Sequence, residues 1–214
     1  KKQAEELLKA WKGDNYTFGL DCLDKVAEYA AQFGNKTSLV VAEYGTPGGE
    51  WLDEPLKKIT GALEAKGIDC GEPIRGARPN APREDVYRIA LSVAKARPDC
   101  IIAVGGGSTI DVSKAASVLN TYPGNDIEQY FGTDLVKKAA DEAGKQPMPV
   151  IAVQTAASSG AHLTKYSNIT DPATGIKKLI VDEAIIPPAA VFDYRVTQGA
   201  PISLTLDGGL DGIA

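Results

Sequence analysis

The sequence predicts an α/β protein built on a mostly parallel sheet. Short apolar runs alternate along the chain with amphipathic stretches of helical period, the pattern of successive βα units. One such run, Asp99 to Val104, breaks into Gly105, Gly106, Gly107 and Ser108 and restarts as a helix, a backbone shape suited to holding a phosphate. Late in the chain two β-rich runs flank Asp-Pro-Ala-Thr-Gly, which predicts a β-hairpin added to the parallel sheet.

Taken in order, Leu23 to Phe33 reads as a helix closed by Gly34 and Asn35, Ser38 to Ala42 as a buried strand, and Trp51 to Lys66 as a helix stopped by Gly67. A short run from Ile68 dissolves into GEPIRGARPNAP. The helix from Arg83 to Ala96 puts Val86, Ile89, Ala90 and Val93 on one face and ends at Arg97 and Pro98. Asp99 to Val104 is a strand, Thr109 to Asn120 a helix, Tyr122 to Asp126 a loop, and residues 127 to 149 a peripheral helical excursion. Val150 to Val153 is a further buried strand. The hairpin takes Tyr166 to Thr170 and Ile176 to Val181, a last short strand runs from Ala190 to Phe192, and the pattern turns helical from Ile202.

At 214 residues, 43% hydrophobic and 24% charged, the chain can bury a core and holds one or two domains. The net charge is -5 and no lysine or arginine stripe forms, which argues against a nucleic-acid partner. The start, KKQAEELLKAWKGD, lacks the apolar core of a signal peptide and no run suits a membrane span, so a cytoplasmic setting is expected. Cys22, Cys70 and Cys100, odd in number and widely spaced, suit reduced thiols.

In the glycine turn, Gly105, Gly106 and Gly107 are expected to allow positive φ and to leave no Cβ against a pyrophosphate. Ser108 can bond a phosphate oxygen or cap the helix, whose dipole favours an anion there. Asp111 and Lys114 sit one turn apart, and Lys114 reads as structural. The same residues would also make an ordinary βα turn with a serine cap; the turn is neither GxGxxG nor GxxxxGK[ST]. Its position at the carboxyl end of a central strand, where open α/β sheets bind ligands, favours the phosphate site.

GGGSTIDVSK resembles the GGGSxxDxxK signature of the iron-containing (group III) alcohol dehydrogenases, which have glycerol dehydrogenases and dehydroquinate synthases as fold relatives. Pro149 to Thr164, PVIAVQTAASSGAHLT, resembles the family's PxIAIPTTAGTGSEVT stretch, and NITDPATGIK, ending at Lys177, its ITDxxTGxK hairpin. Val191 to Asp193 and the final PISLTLDGGLDGIA resemble its VxDP and GxDALxH series. The resemblance implies a Rossmann-like dinucleotide-binding domain over residues 1–197, with 198–214 the start of an all-helical metal-binding domain cut off at Ala214.

It further implies that Gly105, Gly106, Gly107 and Ser108 hold the pyrophosphate, with Asp111 fixing the loop or reaching the nicotinamide side. Thr155 and Ser159 would line the cofactor, Lys177 reach the ribose and Val196 give an apolar contact. Glu43 would meet the adenosine ribose; a carboxylate there accepts the 2′ and 3′ hydroxyls and repels a 2′-phosphate, favouring NAD over NADP. Tyr44, Tyr166 and Trp51 read as packing residues.

Asp211 matches the family's metal-binding aspartate, one of an Asp and three His that hold iron or zinc. Such an ion would stabilise the alkoxide from which hydride leaves. The next ligand position lies one residue past Ala214 and the only histidine is His162, which replaces the family's usual Glu and reads as a hydrogen-bonding residue. The expectation is therefore the cofactor domain of an NAD-dependent oxidoreductase interconverting an alcohol and an aldehyde or ketone, inactive alone and carrying no catalytic residue of its own. Its expected partners are a small alcohol or carbonyl compound and a second copy in a homodimer. A catalytically silent nucleotide-binding module, or an enzyme of the dehydroquinate synthase or glycerol dehydrogenase type, would share these features.

Overall fold

The computed structural model describes residues 2–124 and 126–213. In chain order its elements are α1 (Lys2–Lys12), β1 (Tyr16–Gly19), α2 (Lys25–Ala30), β2 (Thr37–Val41), α3 (Asp53–Ala65), β3 (Ile74–Arg75), α4 (Arg83–Ala96), β4 (Cys100–Gly105), α5 (Gly107–Thr121), β5 (Gly132–Thr133), α6 (Leu135–Ala143), β6 (Val150–Gln154), β7 (Tyr166–Asp171), β8 (Ile176–Val181), β9 (Ala189–Asp193) and α7 (Ile202–Asp211). Six strands form a sheet in the order β1-β9-β6-β4-β2-β3, every pairing parallel.

The central strands are apolar without alternation because both faces are covered. Ile101, Ile102, Ala103 and Val104 of β4 and Ile151, Ala152 and Val153 of β6 are fully buried. Val86, Ile89 and Val93 of α4 and Ile110, Val112 and Ala115 of α5 pack on one face, Val26 of α2 and Ile59 and Leu63 of α3 on the other. The helix after β2 thus leaves on one side of the sheet and the helix after β4 on the opposite side, which opens a crevice at the carboxyl ends of these neighbouring strands. Arg97, at φ 52°, ends α4 in the left-handed conformation. Among the described residues no helix is long and apolar enough to cross a membrane.

Two expectations need correcting. The hairpin does not join the parallel sheet: β7 and β8 pair with β5 in a separate three-stranded sheet over α5. The reason is chemical. Lys114 is fully buried on α5 and donates from Nζ to the carbonyls of Thr164 (2.9 Å) and Tyr166 (2.8 Å). Asp111, 3.7 Å from that ammonium, accepts from the Asn168 N–H at 3.0 Å, and its own carbonyl accepts from Ser167 Oγ at 2.8 Å. These bonds hold β7 against the helix rather than beside a strand. Burial pulls the Lys114 ammonium down to about 8 and pushes the Asp111 carboxyl up, each opposed by the other's charge.

Residues 127 to 149 hold the short strand β5 as well as α6, so that stretch belongs to the small sheet. The amino-terminal residues contribute α1 and the edge strand β1, which pairs with β9 from Tyr16↔Ala190 to Gly19↔Asp193. Four residues supported by one neighbour are too short to show a period in the sequence.

His162 closes the packing beside that edge. It is 6% exposed, its Nε2 lies 3.2 Å from the Tyr16 hydroxyl, and its ring meets Tyr16 and Phe192 at centroid distances of 5.5 and 6.0 Å. Burial, with the charges of Lys114 and Lys12, lowers its pKa from 6.5 to about 4. The unfolded chain therefore binds a proton that the native state refuses as pH falls from 6.5 to 4, so stability is lost across that window. Between pH 7 and pH 4 the protein is expected to lose on the order of 3 kcal/mol more than H162Q, which keeps a partner for Tyr16 without titrating. Urea unfolding of both at the two pH values measures this, and equal losses would contradict it.

Candidate functional site

The crevice holds a cleft of about 400 Å³. Its walls come from the end of β2 (Ala42, Glu43), the turn into α5 (Gly106 to Thr109), the loop after β6 (Thr155 to Ser159) and α7 (Leu204, Asp207, Gly208, Asp211), with Trp51, Ala77 and Pro79 at one side. A larger hollow of about 510 Å³ lies beside α1 and α2 and includes none of these residues.

None of the three glycines in the turn has positive φ, contrary to expectation. They answer to space instead. A Cβ on Gly105 would stand 2.7 Å from Thr109 Cβ and 3.1 Å from Ala42 Cβ, and one on Gly107 would stand 2.7 Å from Ser159 Oγ. A Cβ on Gly106 would make only an ordinary contact, 3.6 Å from Ala156. The helix also starts two residues early, at Gly107, so Ser108 lies inside its first turn and does not cap it; Gly106 is the N-cap and no side chain caps the helix. Among the described residues the first-turn N–H groups of α5 thus have no intrahelical or side-chain partner at a wall of the cleft, where the helix dipole favours negative charge.

Thr155 is buried beneath the cleft, and its N–H donates to the Gly105 carbonyl at 3.2 Å, joining the two loops. Ser159 lines the cleft and its hydroxyl accepts from the Ala161 N–H at 3.3 Å. Glu43 is exposed at the end of β2 with φ 55°, and the Trp51 indole N–H donates to its carboxylate at 3.4 Å. Asp211 faces the cleft from α7, with Asp207 one turn before it.

Three expected residues stand elsewhere. Asp111 does not line the cleft; of its two expected roles the structure gives it the fixing one, toward β7. Val196 is 3% exposed and packs in the apolar layer with Leu52 and Val191. Lys177 is exposed on β8 opposite Thr170, whose hydroxyl and N–H donate to the carbonyls of Asn80 and Ala81 at 2.6 and 3.0 Å, so the hairpin borders the segment that sends Pro79 into the cleft. Asp207 and the segment from Ala77 to Pro79 carry no role in the sequence analysis, and Trp51, expected to pack, also lines the cleft. Asp207 had a signal, its spacing of four residues from Asp211; Trp51 had none.

The family model for iron-containing alcohol dehydrogenase matches residues 14–194. The chain belongs to that family. Among curated proteins it is similar to the NAD-dependent methanol dehydrogenase of Bacillus methanolicus, 27% identical over 92% of this chain and 48% of that protein. The NADPH-dependent butanol dehydrogenase of Clostridium saccharobutylicum is 30% identical over 74% of this chain and 39% of that one. The solved structure of a 1,3-propanediol oxidoreductase superposes with a TM-score of 0.79 at 26% identity, covering 92% of this chain and 48% of its own. The chain spans about half the length of the curated relatives it matches or less.

The glycine clearances order three substitutions. Gly105→Ala, jammed between Thr109 and Ala42, is expected to cost about 1–3 kcal/mol. Gly107→Ala meets only a rotatable hydroxyl and falls below it, and Gly106→Ala, which meets no clash, loses only the advantage of glycine over alanine at an N-cap, about 0.5 kcal/mol. Denaturant unfolding of the three variants checks the order; a Gly106→Ala loss as large as that of Gly105→Ala would refute it.

Proposed function

We propose that this chain is the dinucleotide-binding part of an alcohol dehydrogenase that interconverts an alcohol and an aldehyde or ketone. The observation that carries the reading is the uncapped start of α5, framed by Gly105 and Gly107 where a Cβ would meet a neighbouring side chain, and opening on the cleft. The diphosphate of NAD fits there: Gly106, Gly107 and Ser108 offer N–H groups to its oxygens, and the Ser108 hydroxyl gives a further donor. Thr155 and Ser159 supply polar groups on the facing loop. When bound, the nicotinamide accepts or returns the hydride.

Glu43 selects the cofactor. Its carboxylate, steadied by the Trp51 N–H, accepts the ribose hydroxyls and opposes a 2′-phosphate, which favours NAD over NADP even though one relative is named NADPH-dependent. Lys177 reaches the ribose only if the hairpin swings toward the cleft, and Val196 acts by packing under the wall.

Residues 1–197 form the dinucleotide domain and 198–214 begin a helical domain. This division is supported by α7, where Ile202, Leu206 and Leu210 are 75%, 58% and 68% exposed along one stripe. A divalent ion, iron or zinc, takes Asp211 as one ligand. Among the described residues no three His, Cys, Asp or Glu side chains come together to hold an ion, so they do not make a metal site by themselves.

Titrating the purified chain with NAD⁺ in a calorimeter should give saturable heat, and silence at millimolar NAD⁺ would refute the reading. Glu43→Gln is expected to reduce the preference for NAD⁺ over NADP⁺ about tenfold by removing the like charge. An unchanged ratio would remove Glu43 from the selection. The stripe on α7 is expected to drive self-association of the chain, to a dimer or beyond, at micromolar concentration; light scattering that reports only monomer would count against it.

A further inference from the structure

We infer that Gln154 is a positioning residue for the cofactor: its side-chain amide is the peg around which the loop lining one wall of the cleft is wound. The inference rests on the dinucleotide reading above.

Gln154 is the last residue of β6, where the family pattern quoted above has proline, and its side chain is fully buried. Its Nε2 lies 2.5 Å from the carbonyl oxygen of Ala156 and 3.1 Å from that of Ser159. Both partners are acceptors, so only the amide nitrogen with its two hydrogens can serve them, and both hydrogens are used. The loop between those carbonyls is not a relaxed turn. Ser158 sits at φ 71°, a left-handed conformation unfavourable for a side-chain-bearing residue, where the family pattern has glycine.

Two things depend on that winding. Thr155 and Ser159, at the two ends of the loop, line the cleft. α7 rests on its crest, with the Gly208 Cα so close that a Cβ would stand 3.3 Å from the Ala157 carbonyl oxygen. The opposite end of the amide marks what the arrangement costs: Gln154 Oε1 is buried without a hydrogen-bond partner among the described residues. A methionine of similar length would relieve that orphan acceptor while removing both donors. The two loop carbonyls would turn to water, so little stability should be lost, but the loop would have to be ordered by the ligand instead.

The test compares wild type with Gln154→Met. NAD⁺ and AMP affinities are measured by calorimetry, melting by circular dichroism, and exchange of the amides of residues 156–160 by mass spectrometry. Expected are a fivefold to tenfold loss of NAD⁺ affinity, set by the cost of ordering the loop, AMP affinity within about twofold, a melting point within a few degrees and faster loop exchange. AMP is the control because it engages the Glu43 side of the cleft and not the loop. A purely structural role would lower the melting point and leave the NAD⁺ affinity of the folded protein alone, and that result overturns the inference. So does an equal loss for NAD⁺ and AMP. If wild type itself ignores NAD⁺, the dinucleotide reading fails and the positioning role falls with it, which the wild-type titration distinguishes from a failure confined to Gln154. Should Q154M not fold, Q154L, which also removes both donors without burying a charge, takes the same measurements with the same outcomes.

Discussion

The fold depends at one point on a threonine lodged between two glycines. Thr109, 2% exposed in the first turn of α5, leaves no room for a Cβ on Gly105, 2.7 Å away, or on Gly76, whose Cβ would meet its hydroxyl at 2.7 Å. That hydroxyl accepts from the Ala77 N–H at 3.3 Å, while the Gly76 and Ala42 N–H groups donate to the carbonyls of Val41 and Val104 at 2.7 and 2.8 Å. The end of β2, the segment after β3, the end of β4 and the start of α5 are thereby brought to one place. The end of β2, the segment after β3 and the start of α5 each contribute a wall of the cleft, so the shape of the site follows from this contact.

Around it the buried polar groups each do a local task in place of a longer loop or a larger core. Asp193 accepts from the N–H groups of Asp21, Cys22 and Arg195 at 3.2, 2.7 and 2.9 Å, and so fixes how the chain leaves β1 and β9. Lys114 and Asp111 bind the second sheet to the helix that starts at the anion-favouring turn, and Gln154 winds the loop opposite it. Such groups are costly when unpaired and rigid when paired, and they lie along the structure that frames the cleft.

The parallel sheet was legible because central strands covered on both faces must be apolar throughout, as CIIAVG and VIAVQ are nearly to the last residue. The helix from Arg83 to Ala96 was read to the residue, its apolar period and the Arg97-Pro98 stop being local signals. The glycine turn was located correctly, but its glycines answer to a neighbour, Thr109, and to Ser159 across the cleft, which no local rule of backbone freedom can reveal. The same limit hid the separate sheet: whether a hairpin joins a sheet or lies over a helix is decided by Lys114 and Asp111, residues about fifty positions away in sequence. The cleft-lining residues beside the glycine turn and after β6, Gly106 to Ser108, Thr155 and Ser159, were more legible than Trp51, which enters the cleft only because a 3₁₀ turn of residues 50–52 carries it there.

The bonds between the hairpin and α5 are concentrated at its root, residues 164 to 168, while its tip, Pro172 to Gly175, is exposed. The two parts therefore obey different rules under insertion and deletion. Added residues at the tip leave every root bond in register, whereas a slip of one position between Tyr166 and Asn168 would turn the buried Ser167 outward and strand the ammonium of Lys114. The hairpin is a region where chain length can drift while its attachment is held to a single alignment.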